Sequence, residues 1–172
     1  MKFEQVKENR VKMFDTPDFI KRIKDEDNRM VKYLEILKEI NLYGFITLES
    51  QAGQAKKTKN YVYNEKAYII GFIEESKAEK FIKYLSLNSD KVAFIIYVVD
   101  DSYDIPARYD IPLTTENDKV ITHMSTIIPQ SLFDMYRKEI KINKSEKIVL
   151  IECLDPIFNR DAKKKLDYLL MY

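Results

Sequence analysis

The chain has 172 residues with 29 basic and 28 acidic side chains, 45% hydrophobic and 33% charged, which is too apolar for a disordered segment and too neutral to steer a polyanion at long range. Three glycines in all exclude the glycine-built phosphate loops and the nucleophile elbow, since no G-x-G-x-x-G, G-x-x-x-x-G-K-[ST] or G-x-S-x-G occurs. One cysteine excludes an internal disulfide, a charged start excludes a signal peptide, and the longest apolar run, Val92–Val99, falls short of the ~20 residues of a membrane span, so a soluble cytoplasmic protein of a reducing compartment is expected, with no membrane partner.

The first forty residues predict helices. Glu4–Phe14 carries a thin apolar stripe, Val6, Val11 and Phe14. Asp15-Thr16-Pro17-Asp18 is a start signal, because Asp or Thr caps free amides and Pro suits the first turn. Phe19, Ile20 and Ile23 follow at helical spacing, then a wholly polar stretch, Lys24–Arg29. Met30, Tyr33, Leu34, Leu37 and Ile40 resume the three-four pattern until Asn41 and Gly44 stop it. Residues 1–42 are thus a helical segment packed on a core of residues 43–172, the whole forming one compact unit.

Phe45–Leu48 predicts a short strand running into Glu49–Gly53 and a polar loop, Gln54–Asn60. Tyr61–Ile73 reads as extended, and its end, apolar on both faces, as a central strand. Ser76 opens a helix to Leu87, and Val92–Val99 reads as a strand buried on both faces. Tyr103-Asp104-Ile105-Pro106 then recurs as Tyr109-Asp110-Ile111-Pro112, either a polyproline II segment with both tyrosines on one face or an irregular crossover packed on the core. Lys119–Ile128 predicts a strand, Pro129–Ile140 a helix and Ile148–Leu154 a strand, and Asp155-Pro156 opens a last helix bearing Phe158, Leu166 and Leu169. The fold class is α+β (or α/β), with a single mixed sheet of about five strands, helices packed on it, and a parallel crossover from Tyr61–Ile73 to Val92–Val99.

Ligands collect beyond strand ends, so the end of the first strand is the leading site. Thr47, Glu49, Ser50 and Gln51 offer hydroxyls, a carboxylate and an amide to a polar ligand, Gly53 closes the turn, and Tyr68 and Gly71 stand in the neighbouring extended stretch. The first reading is a binding or interaction domain that recognises a small polar ligand or a protein partner through Thr47–Gly53, without catalysis. The alternative is a hydrolase-type enzyme acting on a nucleotide or sugar-like substrate, with Glu49 and Asp100 or Asp101 as paired acids. A third is nucleic-acid binding by Lys56, Lys57 and Lys59 interleaved with Tyr61 and Tyr63, against which the near-zero net charge and scarce Arg argue. His123 is the only histidine and no cysteine lies near it in sequence, so neither a metal nor any other cofactor is expected.

The string Gly44-Phe45-Ile46-Thr47, Ser50-Gln51-Ala52-Gly53 and Tyr68-Ile69-Ile70-Gly71-Phe72 resembles an uncharacterised bacterial domain family with GF(V/I)TxxSQPG and AxxGF stretches. The likeness spans residues 34–85, with Ala52 where that family has Pro, and implies a shared fold element rather than a reaction. Abundant Lys, Ile and Tyr with scarce Ala and Gly match the codon usage of an AT-rich genome, such as those of some bacteria and large DNA viruses.

Overall fold

The computed structural model describes residues 1–88, 92–102 and 111–156. Helices α1 (Phe3–Met13), α2 (Pro17–Asp27) and α3 (Leu34–Leu42) come first, the last two joined by a 3-10 turn over Asn28–Tyr33. Strands β1 (Phe45–Gln51), β2 (Gln54–Lys57), β3 (Val62–Glu65) and β4 (Tyr68–Glu74) precede α4 (Glu75–Leu87). Then come β5 (Ala93–Ile96), β6 (Val98–Val99), β7 (Ile111–Glu116), β8 (Lys119–Met124), β9 (Ile127–Ile128), α5 (Gln130–Glu139) and β10 (Ile148–Leu154).

The strands form three sheets, not the single sheet expected. The main sheet has the order β1-β4-β10-β5 with every neighbour antiparallel. A second antiparallel sheet has the order β2-β3-β7-β8, and β6 and β9 make a short parallel pair. The fold is α+β.

Tyr61–Ile73 is interrupted at Lys66-Ala67, so β3 joins one sheet and β4 another. Val92–Val99 is not one strand buried on both faces: β5 is an edge strand, and the chain leaves it at Tyr97 to pair Val98 and Val99 with β9, leaving Ile96 and Val98 exposed. Lys119–Ile128 likewise divides between β8 and β9. β4 and β5 do point the same way, but β10 lies between them, so the expected parallel pair does not form. Most of the duplicated Tyr-Asp-Ile-Pro segment and the expected helix after Pro156 lie outside the described residues.

Side chains alternate across the main sheet, giving it two apolar faces. Phe45, Ile69, Ile73, Ile151 and Cys153 pack with the inner faces of α2, α3 and α4. Ile46, Ile70, Phe72 and Leu150 pack with Phe3 and Val6 of α1 and with Phe133 of α5. Cys153 is the buried small hydrophobe its surroundings suggested, and burial pushes its thiol up to about 12.

Two glycines permit close approaches. Gly71 in β4 lies under the Phe45 ring, and a Cβ there would stand 2.6 Å from both that ring and the Ile46 carbonyl oxygen. Gly53 has φ +65°, and a Cβ would meet the backbone of residues 65 to 67 at 2.6–2.9 Å. There the chain passes from β1 into β2 against its own passage from β3 into β4, so the sheet boundary needs a residue without a side chain. We expect Gly71→Ala and Gly53→Ala each to lower unfolding free energy by about 1–3 kcal/mol in urea titrations; unchanged midpoints would contradict this packing.

Candidate ligand-binding cleft

Asn41 is fully buried in the last turn of α3, and its amide is wholly engaged. Nδ2 donates to the Leu37 carbonyl at 2.7 Å and to Thr47 Oγ1 at 2.9 Å, while Oδ1 accepts the Thr47 N–H at 3.0 Å. Immediately after this clamp the register of β1 slips: Thr47 faces Gly71, but Glu49 faces Ile70, leaving Leu48 as a bulge. The slip turns Glu49 towards α5, where Tyr136 donates its hydroxyl to Glu49 Oε1 at 3.1 Å.

On the edge side of β1 the N-terminal helices stand off and leave a polar cleft. A cavity of about 280 Å³ is bounded by Arg10 of α1, Arg22 and Glu26 of α2, Glu49 and Ser50 of β1, and Tyr68 of β4. It shares Glu26 and Ser50 with a second cavity of about 420 Å³ that adds Gln51, Asp27 and Arg29. Arg29 is committed there, bonded to Asp27 and, through Nη1 at 2.9 Å, to the Gly53 carbonyl.

Thr47, Glu49, Ser50, Gln51 and Tyr68 therefore gather at this cleft, Thr47 with its polar groups already tied to Asn41. Gly53 and Gly71 serve backbone packing. Asp100 and Asp101 make local bonds: Asp100 Oδ1 accepts the N–H and hydroxyl of Ser102, and Asp101 Oδ1 accepts the Gln130 N–H at the start of α5. That turn follows β6, outside the sheet that holds β1, and no hydrogen bond joins either acid to Glu49 among the described residues.

Lys56 and Tyr63 face each other across the β2–β3 hairpin, with Tyr61 and Tyr63 stacked at 6.4 Å. His123 is exposed on β8 opposite Pro112. Among the described residues no three His, Cys, Asp or Glu side chains converge to hold a metal ion, and no helix is long and apolar enough to cross a membrane.

Arg10 of the cleft is the first residue that sequence reading missed. Its Nη2 makes only a long contact, 3.4 Å, to the Leu48 carbonyl, and its buried Nε has no hydrogen-bond partner among the described residues. Burial pushes the guanidinium below its ordinary value, Glu139 opposes that, and Arg22 adds to it. Arg22 is exposed, 3.9 Å from Glu26 and over the Phe19 ring.

The second missed group lies deeper on the same sheet. Ile70 is flanked in register by Glu49 on β1 and Glu152 on β10, all on one face. Glu152 is fully buried, takes the Tyr97 hydroxyl on Oε2 at 2.5 Å, and leaves Oε1 without a hydrogen-bond partner among the described residues. Burial raises its carboxyl to about 7; the Tyr97 bond opposes this, Glu49 adds to it, and Lys66 opposes it. Burial, then Glu49 and Glu152, raise Tyr68 to about 12. Tyr97 and Tyr136 are raised too, by burial first and then by Glu152 and Glu49 respectively. One signal for Glu152 was available: it is the sole charge inside the apolar run Ile148–Leu154.

Neither protein-family models nor curated proteins match this chain.

A carboxyl that keeps its proton to about pH 7 when folded, against 4.5 ordinarily, links folding to pH. Below 4.5 both states are protonated and its contribution is fully present; between 4.5 and 7 the unfolded chain ionises first and stability falls; above 7 the loss is complete. The total is about 3 kcal/mol. Glu152→Gln should therefore flatten the decline in unfolding free energy between pH 5 and pH 8 and leave the variant the more stable protein at pH 8. Parallel denaturant curves for both proteins across that range would refute the assignment.

Proposed function

We propose that this domain binds a small polar ligand in the cleft between α1, α2 and the Thr47–Gln51 end of β1. The observation that carries the reading is the convergence of seven polar side chains on one concave cavity of about 280 Å³, built from four separate elements. Binding sites are concave and place a few polar groups on a supporting apolar wall. Here Phe14, Phe19 and Leu34 supply that wall. Ser50 and Tyr68 offer hydroxyls, Gln51 an amide and Glu49 a carboxylate that Tyr136 holds in place. A concavity of this size suits a small molecule better than a protein partner, whose interfaces run to ~800 Å² per side.

The hydrolase reading has less support. Asp100 and Asp101 are committed to a turn and a helix start, and Glu152, the carboxyl nearest in register to Glu49, is sealed from solvent. The nucleic-acid reading keeps the stacked Tyr61–Tyr63 pair but has only one short hairpin to offer as a footprint.

A ligand that prefers the folded protein raises its melting temperature. Screening nucleosides, sugars, amino acids and organic acids by thermal shift, with amide chemical-shift mapping of each positive, should move the resonances of Ser50, Gln51 and Tyr68. Ser50→Trp, which fills the cavity, should abolish those shifts while the protein stays folded. Binding that leaves these resonances unmoved and is indifferent to Ser50→Trp would overturn the reading.

A further inference from the structure

We propose that the ligand of this cleft carries an anionic group, a carboxylate or a phosphate, and that Arg10 and Arg22 are the residues that grip it. The inference rests on the reading of the cleft as a small-molecule site and names the ligand's chemistry.

A half-buried guanidinium is costly to leave without a partner, and native proteins rarely do so. Among the described residues Arg10 forms no ion pair; its one contact is the long one to the Leu48 carbonyl. Nε, which has no partner among the described residues, and Nη2, with only that long contact, are the adjacent pair that form the side-on fork of a guanidinium. That fork matches two oxygens of a carboxylate or phosphate. So weak a contact at Nη2 does little to hold the fork where it stands, and Arg10 already lines the cavity.

Arg22 strengthens the case. It lines the same cavity from the next helix, and its charge disfavours the charged form of Arg10. Two like charges facing one cavity repel each other until an anion lies between them. The nearby acids fill that role only in part: Glu139 favours the charged form of Arg10 but forms no ion pair with it among the described residues. Glu26 is 3.9 Å from Arg22 in an exposed pair worth little, and Glu49 is turned to Tyr136. With Glu49, Ser50 and Tyr68 at the other end, the site suits a small molecule with an anionic group at one end and hydroxyl or amino groups at the other.

The test is titration of the ¹⁵N-labelled full chain with inorganic phosphate, with succinate and with neutral glucose, each against sodium chloride at matched ionic strength. Phosphate or succinate should shift the Arg10 Nε–H and the Ser50 amide and raise the melting temperature, where sodium chloride does neither. Arg10→Met should keep or raise the melting temperature of the free protein, since it removes a half-buried charge that forms no ion pair among the described residues, and should weaken anion binding about ten- to a hundredfold. Arg22→Gln, at an exposed position, should weaken it about tenfold. Arg10→Lys should not restore full affinity, because it keeps the charge and loses the fork.

Shifts at the cleft with glucose but with neither anion would overturn the anionic assignment and leave the cleft reading standing. Anion binding unaffected by both arginine variants would also overturn it. A cleft silent to all three probes, with Arg10 unmoved, would count against the proposal and the underlying reading together.

Discussion

The Asn41–Thr47 clamp decides which way the end of β1 faces. A buried amide that makes three hydrogen bonds at 2.7–3.0 Å holds α3 to β1 where the strand's register slips by one residue. Side chains alternate with a period of two, so a slip of one changes the face of every residue beyond it. The slip sets Glu49 beside Ile70 and within reach of Tyr136, and leaves Ser50 and Gln51 at the cleft under α2. Removing Asn41 would leave the Thr47 amide unpaired in the core, which is why this small contact governs so much.

Among the described residues, Glu152 and Arg10 are ionisable groups near that strand with a buried atom left without a hydrogen-bond partner, and they differ in kind. Glu152 is sealed under the sheet and relieves its burial by keeping its own proton and accepting a hydrogen bond from the Tyr97 hydroxyl. Arg10 has no comparable recourse, because a guanidinium keeps its proton even when burial lowers its affinity for it. A buried acid that can neutralise itself is a feature of stability; a half-buried cation that cannot is a feature that asks for an anion. The cleft lies beside the second, so the electrostatics and the cavity point to the same place.

Much of the helical architecture was legible. The Pro17 start of α2, the three-four spacing from Met30 to Ile40 and the Gly44 stop all correspond to elements, although the Thr16 hydroxyl donates to the Met13 carbonyl instead of capping α2, and the spacing spans a 3-10 turn before α3. That Thr47, Glu49, Ser50 and Gln51 stand together at the polar end of an apolar strand was legible as well, because they are neighbours in the chain; that a cleft forms beside them was not. The division into three sheets was not. Val92–Val99 is apolar throughout, and composition does not say that its last residues leave the main sheet at Tyr97 for β9. The two-residue hairpin at Asn117-Asp118, both with positive φ, is the sort of turn that Asn and Asp signal, yet the run Lys119–Ile128 hid its consequence.

The sequence alone determined most helices of the described residues, the stop at Gly44, the buried character of Cys153 and the polar end of β1, because each depends on spacing within a few residues. Tertiary structure alone decided that Arg10, Arg22 and Tyr68 meet that strand end, that Glu152 faces Tyr97, and that Gly53 marks where one sheet gives way to another. Those facts join residues up to 58 positions apart within the cleft, as from Arg10 to Tyr68, and 55 positions apart for Tyr97 and Glu152. They depend on strand order and on one bulge, and neither leaves a periodic trace in the chain.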